Sequence, residues 1–322
     1  MSGLVHELAS MARLVAEPNT RTVLLGASLL GIAAGGIGAV MVLRRRSLVG
    51  DAVAHAGLPG VCLAFIVVGE RSLAVLLAGA LLFGLLAAAF ISLAQSIPKI
   101  RSDAAIAISI GVFFGLGIML SRIIQSRPGG NAAGLDSFIY GKAASMVRSD
   151  VLLIAILSIA LIGVVVLVRK ELKLLCFDRA FGDSLGWPMG FTDYALTALV
   201  ALCTVVGLPA VGVVLMVALL VIPGAAARFW SDRFETVITV AAILGGVSAA
   251  IGTVLSAVVP APEGGGSLGW PTGPLIVLVA AVLLAGSFLL GPRRGVLAAA
   301  MRHRAVKRSV RLNVAPAGGD RS

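Results

Sequence analysis

Nine stretches of roughly 20 mostly apolar residues run through this chain, each long enough to cross the hydrocarbon of a bilayer as a helix. They lie near 22–43, 48–68, 72–95, 103–123, 151–168, 193–209, 210–227, 235–258 and 272–290. Only Gly207-Leu208-Pro209 separates the sixth from the seventh, so the count lies between eight and ten. Composition excludes the alternative of a soluble fold. Charged residues make up 13% of the chain, against about a quarter in soluble domains. Too little polar surface exists to cover a water-facing globule. The fold class expected is therefore an all-α integral membrane protein of about nine transmembrane helices. Residues 1–292 form a single membrane domain, followed by a basic, partly disordered tail at 293–322.

The net charge of +11 would suggest nucleic acid in a soluble protein. Here the basic residues sit between apolar segments, as topology signals and lipid headgroup contacts do. With nine spans, 19 of the 26 lysines and arginines fall on the side of the C-terminus. The positive-inside rule makes that side cytoplasmic and puts the N-terminus outside. Membrane lipid is an expected partner and nucleic acid is not. The N-terminus shows no basic stretch with a short apolar core and cleavage site, so no removable leader is expected. Cys62, Cys176 and Cys203 lie in or beside apolar segments without a CxxC pair, and no disulfide framework is expected.

The second span is unusual. SLVGDAVAHAGLPG (47–60) carries Asp51 and His55 inside an otherwise apolar helix. Ionisable groups at membrane depth cost several kcal/mol unless they face a partner or an aqueous path. Four residues apart, the two share one helix face. Carboxylate and neutral imidazole suit borderline divalent ions such as manganese, iron and zinc. The competing reading is that the two bond each other and fix the helix among its neighbours. Pro59 has no N–H for the His55 carbonyl, and Gly57 and Gly60 permit a bend, so a helix break is expected beside the pair. Cys62, seven residues after His55, reads as packing. One chain's two donors cannot fill a metal's coordination sphere, whereas a two-fold dimer doubles them. Gly31/Gly35 and Gly111/Gly115 have the spacing that allows close helix approach.

A second informative stretch is the inner loop at 169–192. Leu174, Phe177, Phe181 and Leu185 recur at helical spacing, predicting an amphipathic helix that stops at Gly186 and Pro188. Its apolar face suits either lipid or a docking protein. On the outer side, 124–150 is long enough for a short or re-entrant helix around Phe138–Met146, and 260–271 reads as a glycine-rich turn. Catalytic signatures are missing: His6-Glu7 lacks the second histidine of HExxH. The stretch ending in Gly141-Lys142 has Asp136 and Ala143 where a phosphate-cradling loop needs glycine and Ser/Thr. The chain is expected not to be an enzyme, and any ATP hydrolysis belongs to another subunit. A metal-chelate path would need a wide aromatic lining, which 5% aromatic residues do not supply.

Several segments together resemble the permease subunits of ABC importers for manganese, zinc and iron(II). They are PNTRTVLLG (18–26), SLVGDAVAHAGLPG (47–60), GLDSFIYGKAASMVRSD (134–150), KELKLLCFDRAFGDSLGWP (170–188) and GLPAVGVVLMVALLVIPGAAAR (207–228), with PTGP at 271–274. The resemblance runs from about 15 to 292. It implies a type II ABC-importer-like permease in a bacterial inner membrane. It also implies a second permease chain, identical or a paralogue, two ATP-binding subunits and an extracytoplasmic metal-binding protein. It places Asp51 and His55 on the metal path. It makes 169–190 the coupling loop, with Phe177, Asp178, Phe181, Leu185 and Gly186 facing the ATPase. No permanently bound cofactor is implied, only the transported divalent metal. The PNTR and FIYGKAASM segments are closest to the manganese/iron branch, while a glycine-rich outer turn and Gly57 depart from the usual pattern.

Overall fold

The computed structural model describes residues 17–69, 72–97, 99–126, 148–259 and 270–301. Among these residues the chain is helical, without strands. The elements are α1 (Pro18–Leu43), α2 (Val49–Val68), α3 (Leu73–Ser96), α4 (Ser102–Gln125), α5 (Arg148–Leu167), α6 (Arg169–Phe177), α7 (Arg179–Ser184), α8 (Met189–Val211), α9 (Val213–Ala227), α10 (Phe234–Val258) and α11 (Thr272–Leu290). Eight of them are long and apolar enough to cross a membrane. The ninth expected span, α9, has 15 residues and is about 22 Å long, short of a ~30 Å hydrocarbon layer.

The α8–α9 boundary corrects the expected one. The predicted spans 193–209 and 210–227 parted at Gly207-Leu208-Pro209, but α8 runs through Pro209 and the chain breaks at Gly212. Proline inside a helix removes one hydrogen bond, which an apolar span held by its neighbours tolerates. Gly212 adopts φ 80° and ψ 167°, a conformation open to glycine and strained for other residues. Gly207 packs against Leu30, midway along the 26 residues of α1. The break five residues later therefore lies within the membrane-spanning layer, where irregular backbone is tolerated only if it is buried or lines a cavity.

The bundle is organised around α1. The most apolar stretch of this helix is 72% buried, against 17% in α11. Close approach explains the difference. A Cβ on Gly31 would strike the Gly245 carbonyl of α10, one on Gly35 would come within 2.5 Å of the Ala241 carbonyl, and one on Gly38 would strike Leu220 of α9. In lipid, such small-residue contacts supply the packing that the hydrophobic effect supplies in water. On α5, Leu152, Ile156, Ile159 and Val166 are more than half exposed at helical spacing, the pattern of a lipid-facing stripe. Gly111 and Gly115 depart from expectation: no other described residue comes close to either, so no helix among the described residues uses them for close approach.

The predicted inner connections gather at one end. Phe177, the last residue of α6, stacks edge-on with Phe234 at the start of α10, with ring centres 6.4 Å apart. Trp230 donates to Ser287 near the end of α11 (3.0 Å), and Arg294 pairs with Asp232 (2.7 Å). The stretch expected as one amphipathic helix is two. Asp178 adopts φ −150° and ψ 77°, ending α6 and capping α7 by accepting from the Phe181 N–H at 2.9 Å. A short acid that satisfies the free N–H groups of a new helix favours that restart. Gly186, at φ 80°, closes α7 where a stop was expected. The suggested helix around Phe138–Met146, most of the 260–271 turn, and the tail beyond residue 301 lie outside the described residues.

Candidate metal path and inner coupling face

Asp51 and His55 face the same way on α2, with His55 Nε2 3.3 Å from Asp51 Oδ1. Their side chains keep 30% and 27% of their exposure. His55 stacks edge-on against Phe114 of α4, with centroids 4.7 Å apart. Phe114 lies at the middle of the 24 residues of α4, so the imidazole faces the central part of a helix long enough to span, while Asp51 sits in the first turn of α2. A half-open carboxylate and imidazole on a spanning helix do not belong against lipid. They belong against a water-filled path or another protein surface.

Beside the imidazole is a cleft of about 130 Å³ lined by Ala54, His55, Gly57, Leu58, Val61, Phe114, Leu208, Val213 and Val214. The last three flank the α8–α9 break, so the interrupted backbone and the imidazole border one space. His55 is the only ionisable residue in that lining. Among the described residues no group of three or more His, Cys, Asp or Glu side chains converges to hold a metal. The donors brought together in one chain are therefore the two expected from the sequence.

The expected helix break at Gly57, Pro59 and Gly60 is absent. The helix α2 is continuous from Val49 to Val68 with Pro59 inside it. Its glycines serve packing instead. Gly60 meets the backbone of Gly79 in α3, and a Cβ on Gly57 would lie 3.2 Å from Leu208. Gly117 of α4 seats against Pro59 and Leu58. Close neighbours on both sides hold the helix continuous across the proline. The discontinuity next to His55 is supplied by Gly212, and its sequence signal was the glycine three residues beyond Pro209. Cys62 is fully buried, its thiol donating to the Gly117 carbonyl at 3.8 Å, and it does not line the cleft.

At the end expected to face inward, α6 is anchored by buried Leu172 and Leu175, and α7 by Gly182, which packs directly on the Met189 side chain. The opposite face is open: Phe177 is 60% exposed, Phe181 52% and Leu185 55%. Trp187 and Phe191 extend the same apolar surface and were not singled out from the sequence. Asp178 serves as the cap described above, and Gly186 as the turn.

Sequence reasoning also missed Asp193, a buried carboxylate in the second turn of α8. Arg44 and Arg46, from the turn between α1 and α2, both donate to it, Arg46 Nη1 at 2.7 Å from Oδ2. Arg179 of α7 approaches the same oxygen at 3.9 Å. Burial, with Arg46 close by, lowers the Arg44 guanidinium to about 10, which leaves it charged at neutral pH. The sequence holds the parts of the signal, an acid near the start of one apolar span and three consecutive arginines bordering another, but only the fold brings them together.

Residues 17–291 match the ABC 3 transport family, and the chain belongs to that family of transporter permeases. The manganese transport system membrane protein MntC of Bacillus subtilis (strain 168) is 44% identical over 89% of this chain, which spans 64% of that protein's length. The zinc transport system membrane protein TroC of Treponema pallidum (strain Nichols) is 42% identical over 92% of this chain and 97% of that protein. Among solved structures, PsaBC from Streptococcus pneumoniae in complex with Fab contains a chain that superposes with a TM-score of 0.75 at 29% identity, covering 93% of this chain and 99% of that one.

Proposed function

We propose that this chain is the membrane-spanning permease of an ATP-driven importer of divalent transition-metal ions, with manganese(II) as its cargo. The observation that carries the reading is the Asp51–His55 pair, half-open on the membrane-spanning helix α2 beside an interrupted helix. In the two-fold dimer this reading requires, two chains contribute two carboxylates and two imidazoles around one axis. Ion delivered by an extracytoplasmic binding protein passes between them. Two ATP-binding subunits seat on the apolar face of Phe177, Phe181 and Leu185 at the cytoplasmic end, and their cycle alternates access to the path. The basic end and the C-terminus face the cytoplasm, as the lysine and arginine bias requires.

Manganese is preferred because MntC of Bacillus subtilis carries that ion in its name and the PNTR and FIYGKAASM segments resemble the manganese/iron branch. Zinc is the second reading, favoured by a TroC match that spans 97% of that protein. The test is cellular metal content in a strain starved of manganese and zinc, expressing this chain with its cognate ATP-binding and metal-binding proteins. A rise in manganese that vanishes with Asp51→Ala supports the proposal. A rise in zinc alone replaces the cargo, and no rise in any divalent metal removes the function.

A further inference from the structure

We propose that Asp193 is a positioning residue that ties the coupling segment to the helix carrying Asp51 and His55, through Arg179 on one side and Arg44 and Arg46 on the other. The inference rests on the importer reading above. Its geometry is independent of which ion is carried.

Asp193 sits where three elements meet. It belongs to α8, it accepts from both Arg44 and Arg46, and Arg179 of α7 stands 3.9 Å from its Oδ2. Arg179 also reaches Asp183 at 3.9 Å, so it is shared between its own helix and the clamp. Its side chain is 49% exposed, whereas those of Arg44 and Asp193 are 7% and 9% exposed. The clamp therefore has a buried, fixed pair and one accessible arm, and the accessible arm is on the segment that faces the ATPase.

The other side of the clamp is short and stiff. Only Arg44 to Leu48 separate α1 from α2. Arg45 is the one non-glycine residue at positive φ (58°) among the described residues. The Arg46 N–H donates to the Met41 carbonyl at 2.9 Å, and the Arg46 carbonyl accepts from Val49 at 3.2 Å. Ala52 N–H then bonds the Leu48 carbonyl at 3.1 Å. Arg46 is thus hydrogen-bonded into the end of α1 and the start of α2, five residues before Asp51. A shift of its guanidinium has little slack to absorb it.

Neutralising a buried carboxylate explains one arginine, and a second secures it. It does not explain why the third, half-exposed cation comes from the coupling segment. Coupling between sites is carried by packed and ion-paired elements with two arrangements. Here Arg179 has two carboxylates, Asp183 and Asp193, at equal distance. Docking and release of the ATP-binding subunit against α7 shift Arg179 between them, and Asp193 passes the change to Arg46 and α2.

The test uses the full transporter, this chain with its cognate ATP-binding subunits, in proteoliposomes supplied separately with manganese(II) and zinc(II) and with the binding protein. The variants are Asp193→Asn, which keeps shape and removes charge, and Arg179→Met, which leaves the buried Asp193–Arg44–Arg46 cluster intact. Arg294→Met, which breaks the exposed pair with Asp232 at the same end, is the control. Ions imported per ATP hydrolysed are expected to fall at least about fivefold in both test variants and stay at the wild-type value in the control, a typical coupling magnitude. Asp193→Glu is expected to recover part of the loss. Spin labels at exposed Lys173 and Val67 report an ATP-driven distance change in the wild-type chain that shrinks in Arg179→Met. Arg179→Met with wild-type import per ATP and an unchanged distance response overturns the relay, whether or not Asp193→Asn still assembles. Wild-type vesicles that import neither ion overturn the function instead, and the label distances still decide the relay.

Discussion

Asp51 and Asp193 are both carboxylates near the start of a helix in an apolar bundle, and they are treated in opposite ways. Asp193 is 7% exposed and accepts from two arginines. Asp51 keeps 30% of its side-chain exposure and has one imidazole at 3.3 Å. A charge withdrawn from water and fully paired stabilises an arrangement, and removing one partner is strongly destabilising. A charge left half-paired at membrane depth is available to something else. The first pattern fits the internal tie proposed for Asp193, and the second fits the metal path proposed for Asp51 and His55.

Substitutions sharpen that contrast. The largest effect is expected for Asp51→Ala and His55→Ala. Each should abolish divalent-metal import while the permease still assembles with its ATPase, because both side chains are only half-buried; loss of assembly in size-exclusion chromatography would move Asp51 into the class of Asp193. Next comes Asp193→Leu. It leaves two buried arginines unpaired and is expected to destabilise the chain by about 3–5 kcal/mol, the cost of breaking a buried pair, read as a lower unfolding midpoint in detergent. Gly212→Ala forces a side chain to φ 80° and is expected to destabilise the α8–α9 break by about 1–3 kcal/mol. A wild-type midpoint would show that the break does not need glycine. The smallest is Asp178→Ala, which removes the α7 cap at about 1 kcal/mol. It should weaken ATPase co-purification without changing the fold, and unchanged retention would separate the cap from docking.

Most of the fold was legible because lipid imposes a simple rule, a run of apolar residues per crossing. The rule failed at α8–α9, where Pro209 looked like a boundary. Proline ends helices in water, but in a packed bundle its neighbours hold the helix through it, and a glycine at positive φ makes the true break. The same reasoning misplaced the interruption at Pro59, where α2 continues with Gly60 packed on Gly79 and Gly117 on Pro59. Asp51 and His55 were legible because charge is conspicuous in an apolar helix. Asp193 was not, since it lies at a predicted span end where a charge looks solvated. Its burial follows from the fold of Arg44–Leu48 and the coupling segment over it. Phe177, Phe181 and Leu185 were legible by spacing; the split at Asp178 depends on a single hydrogen bond from the Phe181 N–H that spacing does not encode.

The central claim is that the half-open pair on α2 lies on the route of a divalent metal ion. The most direct measurement is manganese(II) and zinc(II) uptake into proteoliposomes holding the complete transporter, wild type beside Asp51→Ala and His55→Ala, with ATP hydrolysis recorded in the same vesicles. The account predicts ATP-dependent metal uptake in the wild type and none in either variant, with hydrolysis retained. Uptake at the wild-type rate in both variants would contradict it.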